Sequence, residues 1–292
     1  MATQEKIEKM TIVECPRDAM QGLSQFIPTK DKISYLNSLL EVGFDILDFG
    51  SFVSAKAIPQ LADTIEVLEN LNWEESSTEL LGIVAGRRGI SEAAPLKAVK
   101  HLGFPFSISE TFQKRNTQKT IEDSFGTVQF LLEKIDKHNK EAVLYLSMGF
   151  GNPYEDPWSI SLVEDWCGKL IENGVKVISL SDTVGQAEPK RFEEVYLAVK
   201  KLFPETEFGI HMHTRYDNWR DKMESAWNAG CRRFDGAIKG FGGCPFAEDV
   251  LVGNLPTEKI LSFCTEKNIE NSVNIHRFQS AYNQASEIFS TH

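Results

Sequence analysis

The feature that most constrains this chain is an alternation: eight short runs rich in β-branched and apolar residues recur between longer segments of helical period. The runs are Met10 to Val13, Phe44 to Phe49, Glu79 to Val84, Pro105 to Ser109, Ala142 to Met148, Lys176 to Ser181, Glu207 to His213 and Arg233 to Ile238. Between them the pattern predicts helices over Lys30 to Glu41, Pro59 to Leu71, Ala93 to His101, Thr117 to Lys140, Ser159 to Asn173, Pro189 to Leu202 and Trp219 to Ala229. Gly43, Gly174 and Gly230 stand at the expected helix stops. Strict strand and helix alternation means parallel strands joined by crossover helices, and eight such units close a barrel. The expectation is an α/β fold, a single (β/α)8 TIM barrel over about residues 10–250, with additional C-terminal helices over about 257–290. The competing doubly wound sheet loses its main support, because no G-x-G-x-x-G follows the first run. No Pro-, Gly- or Ser-rich linker divides the chain, so one domain spanning 1–292 is expected.

In such a barrel the chemistry gathers at the carboxyl ends of the strands. There the chain places Glu14-Cys15-Pro16-Arg17-Asp18, then Asp48 and Ser51, Met148 to Tyr154, and Ser181-Asp182-Thr183. The seventh run ends in His211-Met212-His213. Side chains at i and i+2 of a strand share a face, so both imidazoles can converge on one cation. Asp18 would add a carboxylate, beside the Arg17 guanidinium, to a nitrogen and oxygen set suited to several divalent ions. A Pro-Arg-Asp turn with solvated charges is the alternative for Arg17 and Asp18. The eighth run leads into Gly240-Phe241-Gly242-Gly243-Cys244-Pro245, a glycine-rich loop that is either a plain turn or a mobile element carrying a thiol into the site.

Charge excludes some functions. A formal net charge of −11 argues against nonspecific binding to nucleic acid or anionic membranes. An anionic ligand would need a local basic patch, and Arg87, Arg88, Lys114 and Arg115 on the third and fourth strand loops are the candidates, with solvated loop charge as the alternative. No hydrophobic run approaches the roughly 20 residues of a membrane span, and the first residues lack an apolar signal core, so a soluble, cytoplasmic protein is expected. The five cysteines are odd in number and widely spaced, as reduced thiols would be.

An ordered set of motifs now stands together: Arg17-Asp18 with Gln21, Ser51-Phe52-Val53-Ser54, Lys114-Arg115-Asn116, Asn152-Pro153-Tyr154-Glu155, Ser181-Asp182-Thr183-Val184-Gly185, His211-Met212-His213, Gly242-Gly243-Cys244-Pro245 and Gly253-Asn254-Leu255. In this order the chain resembles the 3-hydroxy-3-methylglutaryl-CoA lyases from about residue 11 to about residue 265. The resemblance implies a metal-dependent TIM barrel that splits 3-hydroxy-3-methylglutaryl-CoA into acetyl-CoA and acetoacetate, a reaction of leucine degradation. It implies Asp18, His211, His213 and Asn254 as ligands of a divalent cation, Mg2+ or Mn2+ ahead of Zn2+ or Co2+. Arg17 would face the thioester carbonyl and Cys244 would be the catalytic thiol. Asp48 stands where the family usually has glutamate, and Glu258 matches a glutamate near the active loop. The basic quartet would hold the CoA end. The expected partner is an acyl-CoA, with no nucleic acid and no membrane. A homodimer is expected through apolar surface on the helices after Glu258.

The chain departs from the family pattern at Ala19 to Leu23, at Ala85 to Gly89, at Thr214 to Asp217, and at Met148, where cysteine is usual. These departures leave a related 3-hydroxyacyl-CoA as an alternative substrate. A synthase of the isopropylmalate or homocitrate type, or an aldolase of the same superfamily, is a second alternative, disfavoured by Gly242-Gly243-Cys244-Pro245. A non-catalytic acyl-CoA binder is a third, disfavoured because such a descendant need not keep the proton donor.

Overall fold

The alternation closes on itself. The computed structural model describes residues 8–243 and 252–291. In chain order it runs β1 (Thr11–Glu14), α1 (Pro16–Gln21), α2 (Thr29–Val42), β2 (Ile46–Ser51), α3 (Thr64–Glu69), β3 (Glu79–Ile83), α4 (Arg87–Ala93), β4 (Val99–Ser107), α5 (Glu110–Thr117) and α6 (Ile121–His138). It continues with β5 (Glu141–Ser147), α7 (Ile160–Glu172), β6 (Val177–Asp182), α8 (Pro189–Leu202), β7 (Glu207–Thr214), α9 (Trp219–Asn228), β8 (Arg233–Gly236), β9 (Gly253–Asn254), α10 (Thr257–Lys267) and α11 (Ile275–Thr291). Strands β1 to β8 pair in parallel, each with the next, and β8 returns to β1 with Ile12 opposite Phe234 and Val13 opposite Asp235. The fold is a TIM barrel. The short β9 adds antiparallel to β7, setting Asn254 opposite His213.

Strands buried on both faces explain the near-continuous apolar runs. Alternate residues point inward, where Val13, Cys15, Ile46, Leu81, Ile83, Val143, Tyr145 and Val177 form one cluster. Their neighbours Ile12, Leu47, Phe104, Leu144, Ile178 and Phe234 point outward under the helices. Phe104 and Phe234 are fully buried, and removal of each ring from water contributes about 1.5–3 kcal/mol. At the amino ends of the strands, His101 meets Glu79 at 2.7 Å and Arg233 meets Glu207 at 3.0 Å, closing the floor with polar contacts.

Several elements differ from the periodicity. The helix expected over Ala93 to His101 is instead the end of α4 and the first residues of β4, and the strand begins at Val99 rather than Pro105. Gly103 and Pro105 disguised it. Gly103 O accepts the N–H of Val84, just past β3, so Pro105, two residues on, faces the same side beyond the last β3 pair, Ile83 with Gly103. Its missing N–H therefore removes no ladder bond. The segment Thr117 to Lys140 is broken by Gln118, at φ 58°, and restarts where the Thr120 hydroxyl and the Asp123 carboxylate form a capping box. Pro59 to Leu71 is likewise divided into a tight turn and α3. Arg17 and Asp18 lie in a short helix rather than a turn, because Pro16 at its first position is preset for helical φ.

Much of the apolar surface of the C-terminal helices is taken up within the chain, although Ile275 at the start of α11 stays exposed. Ile260 and Phe263 of α10, and Phe278, Ala281 and Ala285 of α11, are buried within the chain, and α11 packs on α2.

Candidate active site

Three groups meet at the carboxyl ends of the strands. Asp18 comes from the first turn of α1, and His211 and His213 come from β7, two residues apart on its inner face. Their ligand atoms all lie within 4.8 Å of one another. The two imidazoles face each other through Nε2 atoms 3.3 Å apart, while His211 Nδ1 lies 3.2 Å from Asp235 Oδ2 on β8. Asp235 is the register neighbour of His211, and an outer carboxylate of this kind fixes the ring and its tautomer.

Electrostatics prepare the cluster. Burial raises the Asp18 carboxyl, but Arg17, His211, His213 and the Asn254 amide outweigh it and hold it down at about 2. Burial, reinforced by the neighbouring His211, pushes His213 down to about 4. Burial also works against the charge on His211, yet its bond to Asp235 leaves it above the ordinary imidazole value. The cluster thus presents a carboxylate and a neutral imidazole, that of His213, whose Nε2 faces His211. Two nitrogens at 3.3 Å with a carboxylate beside them are a donor set that a divalent cation satisfies.

Asn254 stands beside the cluster because β9 pairs with β7. Its Nδ2 donates to Asp18 Oδ2 at 2.8 Å and to Phe241 O at 2.9 Å. To offer oxygen to a cation the amide would have to turn.

Arg17 ties the site to the barrel wall. Its Nε and Nη2 donate to Asp48 Oδ2 at 3.0 and 2.6 Å, and its Nη1 donates to Asp18 Oδ1 and Gln21 Oε1, each at 2.9 Å. Asp48 is fully buried, and burial pushes it up to about 6 against the pull of Arg17. Despite its own burial the guanidinium is held in its charged form by Asp48 and Asp18. A cavity of about 140 Å³ opens over these groups. Arg17, Asp18, His211, His213, Ser181 and Thr183 line it together with the apolar Val53, Ile58, Ile83 and Phe112.

The stems of the glycine-rich loop meet here. A Cβ on Gly242 would fall 2.6 Å from Asp18 O and 2.9 Å from Asn254 Nδ2, and one on Gly253 would fall 2.4 Å from Gly240 O. Only glycine permits this approach, and Gly242 also has φ +93°. Cys244 follows directly but lies outside the described residues.

Other expected site residues stand apart. Glu258 accepts the Lys239 N–H at 2.9 Å and does not line the cavity. Lys114 pairs with Glu110 at 3.0 Å, and Arg88 pairs with Glu92 at 3.5 Å. Arg115 lies over the Tyr154 ring and Arg87 over that of Phe130. None of the four basic side chains lines the cavity, although Ala85, Asn116 and Thr117 close by in sequence do. Asp235 is the site residue that reading the chain missed. Its signal was a carboxylate inside a strand predicted to be buried.

A TIM barrel with a carboxylate and imidazole cluster at its strand ends defines an α/β-barrel enzyme with a candidate divalent-metal centre. The family described as HMGL-like matches residues 10–284. A hydroxymethylglutaryl-CoA lyase of Bacillus subtilis is 32% identical over 275 residues, covering 94% of this chain and 91% of the relative. The human mitochondrial hydroxymethylglutaryl-CoA lyase is 30% identical over 283 residues, covering 94% and 84%. Among solved structures, an HMG-CoA lyase from Acinetobacter baumannii in complex with coenzyme A and 3-methylmalate superposes with a TM-score of 0.88 at 29% identity, covering 97% of this chain and 92% of that one. The chain belongs to the HMGL-like family, and it is a carbon–carbon lyase.

Proposed function

We propose that this lyase cleaves 3-hydroxy-3-methylglutaryl-CoA to acetyl-CoA and acetoacetate, the chemistry of leucine degradation. The observation that carries the reading is Arg17, locked against Asp48, lining one cavity together with the Asp18, His211 and His213 cluster. The relatives named for this activity, and the one crystallised with coenzyme A, support it.

The reaction removes the proton of the tertiary hydroxyl and breaks the C2–C3 bond. C3 becomes the ketone of acetoacetate, and the electron pair passes to C2 as a thioester enolate, which takes up a proton to become acetyl-CoA. Asp18, His211 and His213 would hold a divalent cation, Mg2+ or Mn2+, with Asn254 as the fourth ligand once its amide turns. Bound there, the cation supplies Lewis acidity toward the substrate oxygens. Asp235 keeps the His211 ring aimed. Arg17 presents fixed positive charge to the thioester oxygen as the enolate forms, and Asp48 removes its freedom to swing away. Cys244, at the end of the glycine stem, is the proposed donor of the proton to C2. Glu258 would act through the backbone of Lys239, bracing that stem.

Arg87, Arg88, Lys114 and Arg115 are proposed to meet the anionic end of CoA outside the cavity. We also propose a cytoplasmic location and a homodimer, whose contact would fall away from the apolar face that α11 spends on α2. Among the described residues no helix is long and apolar enough to cross a membrane. The experiment is an assay of purified protein against a panel of 3-hydroxyacyl-CoA esters with and without EDTA. Turnover of 3-hydroxy-3-methylglutaryl-CoA that EDTA abolishes supports the reading. Preference for another ester, or indifference to EDTA, overturns it.

A further inference from the structure

Lys222 is a buried cation that the chemistry above does not use. It sits on α9 with 1% of its surface exposed. All three ammonium hydrogens find acceptors: Asp182 Oδ2 at 2.8 Å, Gly185 O at 2.7 Å and His213 O at 3.3 Å. Burying an ammonium is costly unless every hydrogen is satisfied and a carboxylate balances the charge. Both conditions hold here, and the acceptors come from two segments behind the cavity wall.

What the three acceptors belong to gives the arrangement its meaning. His213 carries one imidazole of the cluster and, through its pairing with β9, sets the position of Asn254. Asp182 ends β6, and its Oδ1 accepts the Ala187 N–H, so it folds the turn that contains Thr183 and Gly185. Thr183 lines the cavity, and its hydroxyl accepts the Met148 N–H at the end of β5. Gly185 is packed against Val252 and the His213 carbonyl: a Cβ there would fall 2.7 and 3.1 Å from them. One ammonium therefore fastens the ends of β6 and β7, and the strand that returns from the glycine loop rests on the place it fastens.

We propose that Lys222 is a positioning residue of the metal centre: it holds the His213 backbone, and with it His213 and Asn254, at the spacing from Asp18 that binds the cation. This inference rests on the metal-site reading above. A merely structural lysine would stabilise the fold and leave cation affinity alone. The chain contains such a comparator in Lys32, equally buried, which donates to both oxygens of Asp63 and to Gln60 O between α2 and the α3 region.

The experiment measures Mn2+ dissociation constants by titration calorimetry, together with thermal melts. The variants are the charge-neutral Lys222→Met/Asp182→Asn double, Lys222→Gln, Lys32→Met and His213→Ala. Outer contacts that orient metal ligands are typically worth about 10- to 100-fold in affinity. The double variant is expected to bind Mn2+ weaker by that factor while folded, Lys222→Gln to fall between it and wild type, and Lys32→Met to melt lower with unchanged affinity. Lys222→Gln retains a donor and serves if the double does not fold. Binding within twofold of wild type by either folded Lys222 variant overturns the proposal. If His213→Ala also binds as wild type, the metal-site reading fails and the proposal falls with it. Loss in His213→Ala with no loss in the Lys222 variants sinks the proposal alone.

Discussion

Arg17 binds Asp48 by two nitrogens on one oxygen, Nε at 3.0 Å and Nη2 at 2.6 Å from Oδ2, leaving Nη1 to reach Asp18 and Gln21. A planar fork can serve these three acceptors, and a lysine ammonium cannot span them. Arg17→Lys should therefore lower turnover by about two to three orders of magnitude, as loss of one charge-stabilising donor does. The effect should fall on kcat more than on KM. Steady-state kinetics check it, and a change confined to KM would assign Arg17 to substrate binding alone.

Asp48→Asn keeps an acceptor for Arg17 but removes the charge that holds it. A loss of about 10- to 100-fold in kcat/KM is expected, smaller than that of Arg17→Lys, since the guanidinium still contacts Asp18. Equal losses in the two variants would show that Asp48 does more than orient its partner.

Cation binding should strengthen as pH rises. His211, held above the ordinary imidazole value by Asp235, must lose its proton before its nitrogen can ligate, so binding releases a proton. Mn2+ affinity measured from pH 6 upward should increase and then level off once His211 has lost its proton, and proton release should appear in calorimetry as a dependence on buffer ionisation enthalpy. A flat profile would remove His211 from the ligand set.

Glu14 gives a stability test remote from turnover. It is fully buried beneath α10, accepting the Thr257 hydroxyl at 2.5 Å and the Ile238 N–H at 2.9 Å, and burial pushes it up to about 8. Below the unfolded value near 4.5 both states hold the proton and Glu14 costs nothing. Between 4.5 and about 8 the unfolded chain releases it and the folded chain keeps it, so stability falls as pH rises, by on the order of a few kcal/mol in all, and levels off above. Glu14→Gln, whose oxygen still accepts the Ile238 N–H and whose amide nitrogen donates to the Thr257 hydroxyl oxygen instead of accepting from it, should lose this component. Denaturant melts of both proteins from pH 5 to 9 would show the difference, and parallel curves would refute it.

Cys15, Cys167, Cys231 and Cys264 are buried, and burial pushes each thiol above its ordinary value. A thiol-directed reagent on the native protein should therefore modify Cys244 alone, abolish turnover and be slowed by substrate. Cys244→Ser should be inactive and unreactive. Full turnover by that variant would mean the proton comes from elsewhere.

What the chain determined by itself is periodic and local. Strand and helix alternation specified the barrel, because a strand buried on both faces and an amphipathic helix each declare themselves within ten or so residues. The i, i+2 spacing of His211 and His213 put both rings on one face for the same reason. Tertiary structure decided everything that depends on closure. Asp18 and Asn254 are 236 residues apart and meet at 2.8 Å only because β8 pairs with β1 and β9 with β7. Asp235 becomes the partner of His211 through strand register. The basic residues of α4 and α5 were candidates for holding an anionic ligand, yet the helices turn them to Phe130, Glu92, Glu110 and Tyr154 instead of into the cavity. Nothing in the spacing of Lys222 marks it out; the packing of α9 places its ammonium under Asp182 and the His213 carbonyl. A side chain's spacing along the chain sets which face it takes, but what lies opposite that face is set by segments hundreds of residues away.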